Sequence, residues 1–156
     1  MSDSERVMEI LRQAKSLARE YRLLTGKPLG VTGEVAEYEA ARILSLKLTP
    51  ARQEGYDAEE TSAGLTRHLQ IKGRCILENS KRSQKCPSIN ILKDFDAVLL
   101  VLLDQNFDAF AIYEADRSPV IATLGAPGSR ARNERGAMAV SKFKSIAKTR
   151  WQRSGG

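Results

Sequence analysis

Gly55-Tyr56-Asp57-Ala58 and, thirteen residues after the aspartate, Gln70-Ile71-Lys72 are the stretch on which the reading of this chain turns. Around the triplet the residue types alternate. His68, Gln70, Lys72 and Arg74 fall on one face of an extended segment, and Leu69, Ile71, Gly73 and Cys75 on the other. The alternation predicts a strand over roughly residues 66–77, with a polar, basic face and an apolar one. Asp57 follows a short extended stretch and precedes a turn, which holds it at a strand end. Alone, the aspartate reads as a turn-capping residue and the triplet as an ordinary half-buried strand. Their separation, and an acidic helix just upstream, reverse that reading, because an acid at a strand end and a polar-x-Lys triplet on the next strand bring three side chains together.

The upstream helix is predicted from Thr32 or Gly33 to about Leu46, with Thr32 as a cap and acids in the first turn, where the helix dipole favours them. It carries Glu34, Glu37 and Glu39. On a wheel of about 100° per residue, Glu37 falls inside the apolar arc of Ala36, Ala40, Ala41, Ile43 and Leu44, and Glu39 falls off it. A carboxylate on an apolar face needs a partner, either an arginine or a cation. Glu37 is therefore the position that demands an account, and Glu34, one turn earlier, is the alternative carboxylate.

Working outward, Ser4 is the expected cap of a long amphipathic helix, with Val7, Leu11, Ala14, Leu17, Tyr21 and Leu24 at three- and four-residue steps until Gly26-Lys27-Pro28 stops it. Further strands are expected over 47–53, 97–103 and 109–113, with a hairpin turn at Asp104-Gln105-Asn106. Residues 78–90 read as a polar loop close to any bound nucleic acid, and Gly125 to Ser129 as another loop. A terminal helix capped by Ser141 and running to Trp151 should turn Phe143, Ile146 and Ala147 inward and Lys142, Lys144, Lys148 and Arg150 outward. The pattern is α/β, one domain over 1–156: an N-terminal helix over 1–26, a mixed-sheet core over 33–114 and a basic segment over 130–152.

Apolar content of 42% and charged content of 28% are those of a globular chain. The longest apolar run, Ala97 to Leu103, is far short of the roughly 20 residues that span a bilayer. Met1 to Glu5 lacks the basic and apolar regions of a secretory leader. The expectation is a soluble cytoplasmic protein with no membrane partner. Cys75 and Cys86 lack zinc-ligand spacing and His68 is the sole histidine, so the thiols read as structural. The formal charge of +6 is uneven: Pro127 to Gly156 hold eight Lys or Arg against one acid, Glu134. Such a patch suits phosphate backbones, with a solvated helix face as the plain alternative. Arg74, Arg130, Arg132, Arg135, Lys142, Lys144 and Lys148 are the expected nucleic-acid contacts.

Phosphodiester hydrolysis needs a water aligned with the leaving oxygen, neutralisation of charge growing on the phosphate, and a group that orients the water. Magnesium prefers hard oxygen donors and keeps several waters, so few protein ligands suffice. Over Gly33 to Arg74, about a quarter of the chain, the residues resemble the restriction-endonuclease-like superfamily named for its PD-(D/E)xK motif. Glu37 with Ala40, Ala41 and Leu44 looks like the helix-borne Glu, Asp57 like the motif aspartate, and Gln70-Ile71-Lys72 like the (D/E)xK triplet. Two positions depart from the motif: Tyr56 stands where proline is usual, and Gln70 where an acid is expected. The resemblance implies an α/β/α core with a central mixed sheet flanked by helices. It further implies Mg²⁺, or Mn²⁺, held by Asp57, Glu37, Gln70 and the Ile71 carbonyl, with Lys72 orienting or activating water. The expected partner is DNA rather than RNA, and a homodimer is compatible, since such nucleases often pair to cut both strands. The competing expectations are a binding module of the same fold that has lost turnover, as Gln70 warns, and a protein-interaction domain of antitoxin or phage-accessory type built on the N-terminal helix.

Overall fold

The computed structural model describes residues 1–49, 55–77, 84–126 and 137–155. Helix α1 spans Asp3–Thr25 and α2 spans Thr32–Leu44. Strands β1 (Lys47–Leu48), β2 (Ala58–Ser62) and β3 (Leu65–Cys75) follow, then β4 (Lys85–Cys86), β5 (Ala97–Leu103) and β6 (Ala109–Asp116). The chain continues through α3 (Arg117–Leu124), β7 (Met138–Ala139), α4 (Val140–Ile146) and β8 (Lys148–Gln152). Six strands form one mixed sheet in the order β1-β2-β3-β5-β6-β8, with only the β3–β5 pair parallel, and β4 and β7 form a separate antiparallel ribbon.

Strand β5 explains the layering. All seven of its residues are buried, and they alternate between two cores. Ala97, Leu99, Val101 and Leu103 join Leu69, Ile71, Val35, Ala36 and Ala40 beneath α1 and α2. Val98, Leu100 and Leu102 join Val120, Leu124, Val140 and Phe143 beneath α3 and α4. Helices thus cover both faces of an α/β sheet, which is why β5 reads as an unbroken apolar run.

The seam between α2 and the sheet is set at Gly73. A Cβ there would lie 2.4 Å from the Cβ of Ala36 and 3.2 Å from the Thr32 carbonyl, so only glycine lets the helix lie this close to β3. Gly73→Ala should therefore force α2 off β3 and cost about 2–3 kcal/mol, as overpacking of a tight core does. Chemical denaturation measures this, and a variant as stable as the parent would show that the seam can give.

Several expected details are corrected by the structure. The first helix is capped by Ser2, not Ser4: the Ser2 hydroxyl accepts the Glu5 N–H while the Glu5 carboxylate accepts the Ser2 N–H, a capping box. The strand expected over 47–53 is confined to Lys47–Leu48 among the described residues, the rest of that span lying outside them. Glu39, placed off the apolar arc, is fully buried. Helix α1 lies over that flank of α2, and Lys15 meets the Glu39 carboxylate at 2.5 Å, with Arg42 on its other oxygen. The basic terminal helix does not run to Trp151. It ends at Ile146, and Lys148–Gln152 pairs with β6 as the edge strand β8. Ser141 lies inside α4, whose first turn follows Ala139. Thr149 and Trp151 suit a strand, and Trp151, in register with Ile112, packs against the first core. Arg150 accordingly turns toward Glu60 and Glu114 instead of solvent.

Candidate functional site

Strands β2 and β3 are joined by the two-residue turn Ala63-Gly64, both with positive φ, and remain paired down to Ala58 opposite Leu69. One residue further, the Asp57 N–H still donates to the Leu69 carbonyl at 2.8 Å. There the strands part. The next donor on β3, the Ile71 N–H, is taken at 2.8 Å by the Asp57 carboxylate. Asp57 thus stands at the fork with one carboxylate oxygen closing the strand edge. Its approach is fixed by Gly55, at φ +97°, where a Cβ would lie 2.5 Å from the Asp94 backbone nitrogen, and by Tyr56, whose ring stacks on His68 at 3.9 Å.

Helix α2 brings the second carboxylate. Glu37 lies on α2, one residue after Ala36, and is half-buried. Burial, reinforced by the negative charges of Asp57 and then Glu34, pushes the Glu37 carboxyl up to about 7, while the ammonium of Lys72 pulls the other way. Asp57 and Lys72 are therefore each within electrostatic reach of Glu37, with Glu34 exposed at the margin. Burial thus outranks the repulsion between the two carboxylates in raising Glu37. Among the described residues, no three His, Cys, Asp or Glu side chains gather to hold a metal ion unaided.

Gln70 is placed differently. It is buried, pairs in register with Val98 of the second core, and its amide nitrogen lies 3.5 Å from the Asn90 carbonyl. Strand alternation puts it on the face away from α2. Lys72 shares that face but sits beyond the fork, half-buried, where the edge of β3 is no longer covered by β2.

Beyond the fork the edge of β3 forms one wall of an open cleft of about 570 Å³, whose lining includes Arg22, Thr32, Gly33, Lys72 and Arg74. Three cations and the start of α2 face this space, so its potential favours anions. Arg74 is steadied by donating to the Lys85 carbonyl at 2.7 Å. Of the other expected nucleic-acid contacts, Arg130, Arg132 and Arg135 lie outside the described residues. Lys142 and Lys144 are exposed on α4, over the second core, with the Lys144 ammonium 5.3 Å from the centre of the Tyr113 ring. Lys148 is on β8, 3.4 Å from Glu114. The basic residues are thus spread over different faces, and Arg22 is a cleft cation that sequence reasoning passed over. Its place on the core-facing side of α1 gave no signal before the helix packing was known.

Cys75 packs against the first core with the Arg22 guanidinium 3.9 Å from its sulfur. Cys86 is buried, and burial pushes its thiol up to about 12, so it is inert as a nucleophile. Among the described residues no helix is long and apolar enough to cross a membrane. No protein-family model matches this chain, and no curated protein matches it either.

Proposed function

We propose that the protein is a metal-dependent nuclease of the restriction-endonuclease-like type, acting on DNA, with its centre at the fork between β2 and β3. The observation that supports this reading is that Glu37 feels the charges of both Asp57 and Lys72, with Lys72 lining a cationic cleft. The helix-borne acid, the strand-end acid and the lysine are the three elements that the PD-(D/E)xK resemblance requires, and two cores on either side of a mixed sheet are what its α/β/α architecture requires.

In this reading Glu37, Asp57 and the Ile71 carbonyl would hold Mg²⁺ or Mn²⁺, which when bound supplies the positive charge that offsets the charge growing on the scissile phosphate. The remaining work belongs to the chain. Asp57 keeps β3 in place through the Ile71 N–H. Lys72 directs a water toward the phosphorus by hydrogen bonding, with no need to surrender its own proton. Arg22 and Arg74 seat the flanking phosphates in the cleft. Gln70 contributes one negative charge fewer than the usual acid, so metal affinity is low and the centre depends on Glu37 being ionised.

The test is cleavage of plasmid and oligonucleotide DNA with Mg²⁺ or Mn²⁺ and its arrest by a chelator. Lys72→Ala is expected to lower the rate about 100-fold, the usual worth of a positioned proton-handling group, with DNA binding retained. Mn²⁺ affinity by calorimetry should fall below pH 7 as Glu37 takes up its proton, because ion and proton compete for one carboxylate. Salt-dependent DNA binding without metal-dependent cleavage would favour the inactive module.

A further inference from the structure

Helix α1 presents two apolar stripes, and the fold uses one of them. Met8 and Ala18 pack toward the first core, and Leu11 is half-buried. The helix is held in that rotation by Lys15, which bridges Glu39 at 2.5 Å and Asp108 at 2.6 Å, and by Arg19 on Asp108 at 3.2 Å. The second stripe is Val7, Ile10, Ala14, Leu17, Tyr21 and Leu24, at strict steps of three and four residues. Its five large members remain open to solvent: Val7 45%, Ile10 48%, Leu17 58%, Tyr21 38% and Leu24 79% exposed. A three-four repeat sustained over the whole helix is the a/d seam of a coiled coil, not a scatter of surface leucines. The ion pairs of Lys15 and Arg19 prevent the helix from rolling it inward.

We propose that this seam is the contact between two copies of the chain, paired antiparallel about a two-fold axis that passes between Ala14 and Leu17. The residue sizes select the second copy and this direction. With the axis there, Ala14 meets Leu17, Ile10 meets Tyr21 and Val7 meets Leu24 of the second copy, so each layer sets a smaller side chain against a larger one. A parallel pairing would stack alanine on alanine and tyrosine on tyrosine, leaving a void in one layer and a collision in another. The end of the seam is also prepared. Beside Val7 an apolar recess of about 210 Å³, lined by Val7, Met8, Leu46 and Leu48 among others, opens at the level where Leu24 of the second copy arrives. Leu24 is the most exposed side chain of the seam.

The size is sufficient. Roughly half of each of five large side chains amounts to on the order of 500 Å² of open apolar surface per copy, beyond the few hundred that a monomer usually tolerates. Pairing two such seams buries about 1,000 Å², the scale at which specific interfaces begin. The contact is isologous, so it closes at two copies and does not propagate. This inference is independent of the nuclease reading.

Sedimentation or light scattering of the full chain at tens of micromolar should return twice 17.3 kDa. Leu17→Glu puts four carboxylate oxygens at the axis of the pair and should weaken it at least 100-fold while leaving thermal unfolding of the monomer unchanged, since Leu17 makes little contact within its own chain. Mixing Ala14→Cys with Leu17→Cys protein should give a disulfide between the two variants under mild oxidation. A monomeric parent protein overturns the proposal, as does a dimer indifferent to Leu17→Glu. Preferential linkage of Ala14→Cys to itself overturns the antiparallel arrangement.

Discussion

Asp57→Ala is expected to abolish metal-dependent cleavage, by about 1,000-fold or more, and to lower stability by about 2 kcal/mol, two losses that arise from the two oxygens of one carboxylate. The first loss is electrostatic. With Glu37 raised to about 7, removing the Asp57 carboxylate leaves the fork little negative charge to set against a divalent ion. A 1,000-fold change corresponds to about 4 kcal/mol of transition-state stabilisation. The second loss is structural: the Ile71 N–H loses its acceptor where the strands part, and a charge-assisted hydrogen bond of this kind contributes about 1.5–3 kcal/mol. Asp57→Asn separates the two. Its amide oxygen still accepts from Ile71, so unfolding in denaturant should stay near that of the parent protein, while Mn²⁺ binding and cleavage are lost with the charge. Cleavage surviving in Asp57→Asn would show that this carboxylate is not a metal ligand.

The strand and helix positions of the candidate residues were legible because each obeys a short-range rule. Period-two alternation places Lys72 and Ile71 on opposite faces of a strand, and the apolar arc of α2 contains Glu37; both are consequences of local geometry. What was not legible depended on distant partners. Strand β2, Ala58–Ser62, has the sequence Ala-Glu-Glu-Thr-Ser, with none of the apolar alternation that marks a strand. It is a strand because its backbone pairs with β1 and β3 on either side and because Glu60 meets Arg67 and Arg150. The same contacts make an edge strand of Lys148–Gln152, whose lysine and arginine look helical and solvent-bound until Glu114 is known to lie beneath them. Glu39 looked free because a wheel records one helix at a time, and its burial is produced by α1 crossing over it. The faces of Gln70 and Lys72 were assigned correctly relative to each other. Alternation alone could not show that α2 lies on the opposite side of the sheet from both.

The ionic cluster at the far end of the same sheet face is where acid should act first. Glu114 is fully buried, with Arg67 at 2.8 Å and Arg150 at 2.5 Å, and Glu60 bridges the same two arginines at 2.7 and 2.5 Å. Each of the two carboxylates lies between two guanidinium groups. For Glu60 the hydrogen bond from Arg150 is the main influence, and its carboxyl is held below the ordinary 4.5. For Glu114 burial is the largest influence and pushes upward, yet the hydrogen bonds and charges of Arg67 and Arg150 together outweigh it and also hold the carboxyl below 4.5. Carboxyls depressed in the folded state bind protons more weakly there than in the unfolded chain. Their stabilisation is thus complete above about pH 4.5 and is lost as the pH falls through the lower folded values. Glu114→Gln should remove about 3 kcal/mol at pH 7, because it leaves two guanidinium groups facing a neutral amide in a buried setting with Glu60 as the one remaining anion. The same variant should lose less than the parent protein between pH 5 and pH 3, since one of the two titrating groups is gone. Urea unfolding across that range reads both effects. Parallel pH profiles for variant and parent would mean that Glu114 keeps its proton affinity on folding and that the arginines hold the sheet end by packing alone.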